Sequence, residues 1–265
     1  MIRDADFDHV ALAAESRRDL EPRYAEQLGG VASANAAGGQ AGFTWAQVRY
    51  RNGMALEMLE PYRVQENDFL RRFLDRNGPG PHHLTFTVPD FARALEAAVA
   101  AGYRPVGVDD SSPQWKEAFL HPKDAPGVVI QLAESHEHHE PPRDRLSPSA
   151  ELLHVAHAVR SLDDGLRLFE ALLGGVRTSE GEGSGHRWIE LRWPGPGRVR
   201  LLVPTGPGAL DKWIGSRPGR VHHVAFRVLD PSALPGATAN GECWRVEPEA
   251  NRGTRLVLVA DTGSS

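Results

Sequence analysis

The sequence contains one ordered set of segments twice, and this repeat constrains the fold more than any other feature. The first set is Asp8-His9-Val10-Ala11, Trp45, Leu56-Glu57-Met58-Leu59-Glu60-Pro61 and His82-His83-Leu84. The second set is Leu153-His154-Val155-Ala156, Trp188, Val199-Arg200-Leu201-Leu202-Val203-Pro204 and His222-His223-Val224. Corresponding residues lie roughly 140 to 145 positions apart throughout, so we expect two tandem copies of one domain.

Composition narrows the class of protein. With 265 residues, 40% of them hydrophobic and 25% charged, the chain is long enough for two soluble domains. The formal net charge of −5 gives no basic surface for nucleic acid or an anionic membrane, so we expect neither as a partner. The single cysteine, Cys243, excludes a disulfide scaffold. Charges in Met1–Asp8 argue against a signal peptide, and we expect a cytoplasmic protein.

A polar, proline-containing segment separates the two copies. Residues 136–149 lack apolar periodicity and predict a linker between a first domain at residues 1–135 and a second domain at residues 150–265. We expect the linker histidines, His136, His138 and His139, to be solvated, since a flexible tether offers no groups that would orient them around a metal.

Each domain is expected to contain the order β-α-β-β-β twice and to form an α+β fold. Strands at Phe43–Tyr50 and Met54–Glu60 flank Asn52-Gly53, a strong signal for a hairpin turn. The first pass of this order shows only two of its three later strands. The last module contains Pro231 and Pro235 where the first copy has a helix, so we expect it to be shortened.

Four strands carry a metal-ligand residue type on the face opposite their apolar side chains. In the strand that begins at His83, for example, Leu84 and Phe86 face one way and His83 faces the other. If the four strands form one curved sheet, their polar side chains converge in its hollow. Two imidazoles, one carboxylate and one amide oxygen suit a divalent Fe, Mn, Co, Ni or Zn ion. The residues are His9, Glu57, His83 and Gln131.

Four segments of the first copy resemble the vicinal oxygen chelate superfamily. They are DHVAL at residues 8–12, LEMLEP at 56–61, HHLTF at 82–86 and HPKDAPGVVIQL at 121–132. This superfamily includes glyoxalase I, methylmalonyl-CoA epimerase, type I extradiol dioxygenases and bleomycin-resistance-like proteins. The resemblance implies two tandem glyoxalase-like domains, each a cupped mixed sheet of paired βαβββ modules. It also implies one divalent metal ion, held in the first domain.

The resemblance also assigns the ligands by position. The family motif favours His83 over His82, because HLTF matches HVAL in the first strand. It favours Glu57 over Glu60, because the family ligand lies four residues before the proline. Together with His9, and with Gln131 as a weaker fourth ligand, these residues form the expected site.

The implied function is that of a metal-dependent enzyme. It would act on a small oxygen-bearing substrate by metal chelation, with lyase, isomerase or dioxygenase chemistry. Two alternatives stay open: a small-molecule binding or resistance-type protein without turnover, and an isomerase like methylmalonyl-CoA epimerase. The substrate is then the only partner we expect, and the chain is expected to be a monomer or a homodimer.

Two departures count against the epimerase alternative, although the first copy is most similar to that branch. The family element Glu-x-Gly is Gln40-Ala41-Gly42 here, and the fourth ligand, normally glutamate, is Gln131. An amide cannot abstract a proton, so both members of the acid–base pair are lost. We therefore expect no appreciable methylmalonyl-CoA epimerisation.

The second copy is expected to bind no metal. His154 and His223 occupy the histidine positions, but Arg200 replaces the carboxylate and the fourth position lies near Val257. A guanidinium repels a cation, so Arg200 would instead hold an anionic ligand or form a salt bridge within the domain. His157 lies on the core side of its strand and is expected to be a buried structural histidine.

Overall fold

The computed structural model describes residues 1–35, 42–135 and 150–262. The described residues of its first half form eight strands and two α-helices, with short helical segments at Arg17–Asp19 and Pro22–Gln27. The strands are β1 (Asp6–Ala13), β2 (Val31–Asn35), β3 (Gly42–Arg49), β4 (Ala55–Tyr62), β5 (Gly80–Thr87), β6 (Pro105–Asp109), β7 (Trp115–Leu120) and β8 (Val129–Ser135). The helices are α1 (Phe69–Asn77) and α2 (Phe91–Ala100).

The second half repeats this order. Its strands are β9 (Glu151–Val159), β10 (Val176–Gly183), β11 (His186–Arg192), β12 (Arg198–Pro204), β13 (Gly219–Val228), β14 (Thr238–Asn240), β15 (Cys243–Val246) and β16 (Leu256–Ala260). Its helices are α3 (Leu162–Leu166), continued by a helical segment at Arg167–Leu172, and α4 (Ala209–Ile214). Short 3-10 turns lie at Pro231–Ala233 and Pro248–Ala250.

Two mixed eight-stranded sheets result, with the same strand order. The first is β2-β3-β4-β1-β5-β8-β7-β6, and the second is β10-β11-β12-β9-β13-β16-β15-β14. In each βαβββ module the first strand pairs in parallel with the last strand, as in β1 with β4 and β5 with β8. The remaining pairs within a module are antiparallel. The α+β fold and the repeat predicted from the sequence are thereby confirmed.

The last module is shortened, as predicted. In the first half Asp90 caps α2, a helix of ten residues, by accepting a hydrogen bond from Arg93. At the matching place in the second half, Asp230 caps only a 3-10 turn of three residues. Pro231 starts this turn, and Pro235 follows it closely. Because proline has no N–H to donate, it cannot continue a helical hydrogen-bond ladder.

The β3–β4 hairpin forms where Asn52-Gly53 predicted it. The N–H of Gly53 donates to the carbonyl of Tyr50 at 2.8 Å, and Gly53 has a φ of 89°. The strand that the sequence did not reveal is β2, at the edge of the first sheet. Its side chains are mostly exposed, so it lacks the apolar alternation by which a strand is predicted.

The chain forms two compact units, each of which combines modules from both repeats. One unit consists of the described residues within 1–8, 83–138 and 154–222, and the other of those within 9–82, 139–153 and 223–265. Aromatic residues from both repeats meet in the first unit, where the ring centroids of Phe86 and Trp193 are 5.0 Å apart. In the second unit the ring centroids of Tyr50 and Phe226 are also 5.0 Å apart. The domain limits at residues 135 and 150 stay a prediction from the repeat.

No helix among the described residues is long and apolar enough to cross a membrane.

Candidate metal site

Three of the four predicted ligands come together on the first sheet. They are His9 on β1, Glu57 on β4 and His83 on β5, and their ligand atoms all lie within 4.8 Å of one another. The Nε2 atom of His9 is 3.7 Å from an Oε atom of Glu57. The three residues are only 2, 9 and 5% exposed, respectively. Among the described residues, this is the one group of three or more histidines, cysteines or acids with such an arrangement.

Strand register explains why these side chains meet. Strands β4, β1 and β5 are neighbours in the sheet, and Ala11 pairs with Glu57 while His9 pairs with Ala55. Since side chains alternate along a strand, His9 and Glu57 point to the same face. We call this face of the first sheet the ligand face. The alternate residues of these strands, such as Val10 and Leu56, are fully buried on the opposite face.

The neighbouring acid, Glu60, is used elsewhere. Its carboxylate accepts hydrogen bonds from the Ser16 hydroxyl at 3.0 Å and from the Arg17 N–H at 2.8 Å. It thus holds the short helical turn that begins at Arg17. An offset of three residues also places Glu60 on the opposite face from Glu57. The geometry therefore supports Glu57 as the carboxylate of the site.

The neighbouring histidine, His82, lies among aromatic side chains. Its ring centroid is 5.7 Å from that of Phe69 and 4.7 Å from that of Phe73, both on α1. Burial lowers the pKa of His82 to about 4, because the charged imidazolium is poorly solvated there. The histidine that lies beside His9 and Glu57 is His83, and its role as a metal ligand stays a prediction.

Gln131 lies on the ligand face but is held by two hydrogen bonds. Its Oε1 atom accepts from the Thr85 hydroxyl at 2.6 Å, and its Nε2 atom donates to Glu117 at 2.7 Å. Gln131 pairs with Thr85 across β5 and β8, two residues beyond His83 on β5. Its role as a fourth ligand stays a prediction. Gln40 lies outside the described residues.

Two polar residues near the site were not predicted. Glu117 faces the same way as Phe119, which pairs with Gln131, whereas Ala118 and Leu120 are buried on the other face. Gln47 pairs with Glu57 across β3 and β4, and its Nε2 atom is 3.4 Å from the Nδ1 atom of His9. The alternation of side chains along β7 indicates from sequence which way Glu117 faces. It does not indicate that Glu117 lies near Gln131, because this depends on the register of β7 with β8.

The donor set fits a divalent transition metal. Two neutral imidazoles and one carboxylate are ligands that Fe, Mn, Co, Ni and Zn share. Ligand atoms about 2.0–2.2 Å from an ion lie about 3 to 4.4 Å apart, and the 3.7 Å separation of His9 and Glu57 falls in this range. The three ligands come from three neighbouring strands, so the folded sheet must exist before the site does.

The corresponding place on the second sheet holds an ion pair. Nε and Nη2 of Arg200 donate to one Glu190 oxygen at 3.1 and 2.7 Å, and the guanidinium lies 4.4 Å from the centre of the Trp188 ring. The Nδ1 atom of His154 is 3.9 Å from the same Glu190 oxygen. Burial and the Arg200 charge lower the pKa of His154 to about 3. Of the two roles expected for Arg200, this geometry favours the internal salt bridge.

An apolar cluster covers one side of the ligand face. Leu70 and Leu74 of α1 pack against Ala11, Ala13 and Leu59. These three residues lie on the ligand face, as His9 and Glu57 do. A small molecule bound beside His9 and Glu57 would therefore meet an apolar surface on this side.

The first half of the chain matches a known family. Residues 8–119 match the family described as the Glyoxalase/Bleomycin resistance protein/Dioxygenase superfamily. The matched range includes His9, Glu57 and His83, and it confirms the resemblance predicted from the sequence. A comparison with the curated proteins gave no match.

Solved structures extend the similarity to the whole chain. A triple mutant of 4-hydroxymandelate synthase from Streptomyces coelicolor is similar over 100% of this chain and 94% of its own, with 19% identity and a TM-score of 0.71. Methylmalonyl-CoA epimerase from Mycobacterium tuberculosis is 24% identical and covers 50% of this chain and 89% of its own, with a TM-score of 0.45. A methylmalonyl-CoA epimerase in complex with methylmalonyl-CoA and NH4+ is 27% identical and covers 52% of this chain and 99% of its own, with a TM-score of 0.43. The first comparison shows that both repeats together adopt the fold of that protein.

Proposed function

We propose that this chain is a metal-dependent enzyme. The proposal starts from the match of residues 8–119 to the Glyoxalase/Bleomycin resistance protein/Dioxygenase superfamily. Its substrate is a small molecule with oxygen atoms placed to chelate one divalent ion. The reaction class is lyase, isomerase or dioxygenase chemistry. The observation that carries this proposal is the close grouping of His9, Glu57 and His83.

The three residues supply what such a site requires. His9 and His83 provide imidazole nitrogens, and Glu57 provides the one negative charge among them. Together they would hold a divalent ion, which would supply Lewis-acid stabilisation of negative charge on a substrate oxygen. Glu57 offsets only part of the ion's charge, so the site favours an anionic or readily ionised oxygen.

The surrounding chain positions the substrate. The three ligands stand on adjacent strands of an eight-stranded sheet, which holds their backbones rigidly. The buried apolar cluster beneath α1 excludes water from one side of the ligand face. A dry, ordered surface strengthens electrostatic interactions with the substrate, since little water is present to screen them.

The first test is the metal content of the protein purified without a histidine tag. We expect about one divalent ion per chain and the loss of most of it in Glu57→Ala, because this change removes the only carboxylate of the group. Glu60→Ala is a matched control on the same strand, and we expect it to retain the metal. Undiminished metal in Glu57→Ala would contradict the assignment.

The second test separates an enzyme from a binding protein. The metal-loaded protein is incubated, with and without oxygen, with a panel of small 2-oxo acids, 2-hydroxy ketones and diols. We expect product from at least one compound and its loss in Glu57→Ala. Saturable binding of a compound without product formation would favour a binding protein, and a requirement for oxygen would select the dioxygenase class.

A further inference from the structure

We propose that Glu117 is a positioning residue that sets which end of the Gln131 amide faces the metal ligands. This inference rests on the proposed function, because it assumes that His9, Glu57 and His83 bind a metal. It concerns the order of atoms within one side chain, which decides whether Gln131 offers an oxygen or an N–H group to the site.

The strand order gives the amide a direction. Strand β8, which carries Gln131, lies between β5 and β7. The Oε1 atom of Gln131 bonds to Thr85 on β5, and its Nε2 atom bonds to Glu117 on β7. The oxygen is therefore on the side of β5, the strand that carries His83, and the nitrogen is on the far side.

Only one of the two hydrogen-bond partners can select this orientation. A threonine hydroxyl can donate or accept, so the chemistry of Thr85 does not by itself distinguish the oxygen from the NH2 group of an amide. An ionised carboxylate only accepts. If the Gln131 amide turned over, its oxygen would face the Glu117 carboxylate and the N–H···O bond of 2.7 Å would be replaced by repulsion.

The selected orientation is the one that suits a metal. An amide binds a cation through its oxygen, whereas its NH2 group has no lone pair available for the ion. The Gln131 oxygen accepts one hydrogen bond from Thr85 and has a second lone pair. Glu117 thereby makes an amide usable at a position where a carboxylate, with two equivalent oxygens, would need no such control.

Glu117 has a second contact that the test must separate from this role. The same carboxylate oxygen accepts a hydrogen bond from the indole N–H of Trp115 at 2.9 Å. Removing Glu117 could therefore act through the packing of Trp115 on β7. Trp115→Phe removes that hydrogen bond while leaving the contact between Glu117 and Gln131 in place, so it is the matched control.

The experiment is a titration of the metal-free full-length protein with Co²⁺, followed by visible absorption. We expect Glu117→Ala to weaken Co²⁺ binding by about 10- to 100-fold, the usual cost of losing a partner that orients a ligand. Glu117→Gln should lie between Glu117→Ala and the wild type, since its amide oxygen still accepts from Gln131. Trp115→Phe should bind within about 3-fold of the wild type, and an equal loss there would overturn the proposal.

A second background makes the test specific. In Gln131→Glu the side chain has no nitrogen to misplace, so adding Glu117→Ala should not weaken Co²⁺ binding further. An equal loss in both backgrounds, or no loss with Gln131 present, would overturn the role of Glu117 while leaving the metal site intact. If the wild type and Glu57→Ala both fail to bind Co²⁺, the proposed function itself is wrong.

Discussion

His157 is a buried histidine, and its burial can be tested by the effect of pH on the stability of the protein. It is fully buried on β9, and its Nε2 atom lies 2.7 Å from the carbonyl oxygen of Pro126. Burial lowers its pKa to about 4, although the hydrogen bond to Pro126 partly opposes this shift. The histidine predicted to be buried is therefore also neutral at physiological pH.

The lowered pKa of His157 predicts a loss of stability in acid. Between pH 6.5 and about 4 the unfolded chain binds a proton here that the folded chain does not, so the free energy of unfolding falls as the pH falls. At pH 5 the loss from His157 is about 2 kcal/mol relative to pH 7.5. We expect urea unfolding of His157→Gln, which retains a donor for Pro126, to depend less on pH by about this amount. The exposed His121→Gln serves as control, and an unchanged pH dependence in His157→Gln would exclude this role.

Single residues of the candidate site were predictable to the extent that strand alternation determines them. His9, Glu57 and His83 each stand opposite apolar neighbours, and a period of two is enough to place them on one face. Glu117 has the same signature within its strand. Its bond to Gln131 was not predictable, because it depends on the antiparallel register of β7 and β8, which brings Phe119 opposite Gln131.

At the scale of elements, two chain crossings require glycine. A Cβ atom at Gly127, which has a φ of 76°, would lie 1.9 Å from the carbonyl oxygen of Gly219. At the corresponding place in the other repeat, a Cβ at Gly253 would lie 1.8 Å from the carbonyl oxygen of Pro79. Each crossing joins the turn before the last strand of one repeat to the start of a strand in the other.

Gly127→Ala should be strongly destabilising. The added methyl group must displace backbone and also occupy a left-handed conformation, which together cost about 3 kcal/mol or more. Gly78→Ala is the matched control, because Gly78 has a φ of 69° but no described atom within 4 Å of an added Cβ. We expect it to lose only about 1–2 kcal/mol. Chemical unfolding measures both, and equal losses would show that the close approach at Gly127 carries no cost.

Elements were predictable where burial imposed a pattern. The hairpin strands β3 and β4 were predicted from such a pattern, and β7 shows it too, because its Ala118 and Leu120 side chains are fully buried on one face. Strand β2 was missed, because an exposed edge strand is held mainly by backbone hydrogen bonds that any sequence can make. The pattern therefore reports burial, and it does not report pairing by itself.

At the scale of the whole molecule, the repeat reveals that two copies exist but not how their modules combine. Each compact unit takes one module from each repeat together with adjoining segments, which the spacing of motifs does not indicate. The glycine crossings are part of this arrangement. They are recognisable only once the chain is folded, because the contacting residues are far apart in sequence.

The second sheet carries different charges at the strand positions of the candidate metal site. On the first sheet Gln47 pairs with Glu57, whereas on the second sheet Glu190 pairs with Arg200. On the second sheet the carboxylate therefore lies on the neighbouring strand, β11, and the Arg200 guanidinium occupies the position that corresponds to Glu57. His154 contacts the displaced carboxylate at 3.9 Å. The Arg200 side chain supplies a fixed positive charge where the first sheet would hold a metal ion.

Restoring the first pattern should therefore create a second metal site. In the double variant Arg200→Glu, Glu190→Gln, a carboxylate stands at the strand position that Glu57 occupies on the first sheet. His154 and His223 already occupy the sequence positions that correspond to His9 and His83. We expect bound Co²⁺ to rise from about one to about two ions per chain, and to return to about one when Glu57→Ala is added. Arg200→Ala alone should stay at about one, because it removes the repelling charge without supplying a ligand. Metal analysis after dialysis measures this number. A value of one in the double variant would show that positions 190 and 200 alone do not explain why the second sheet lacks a metal site.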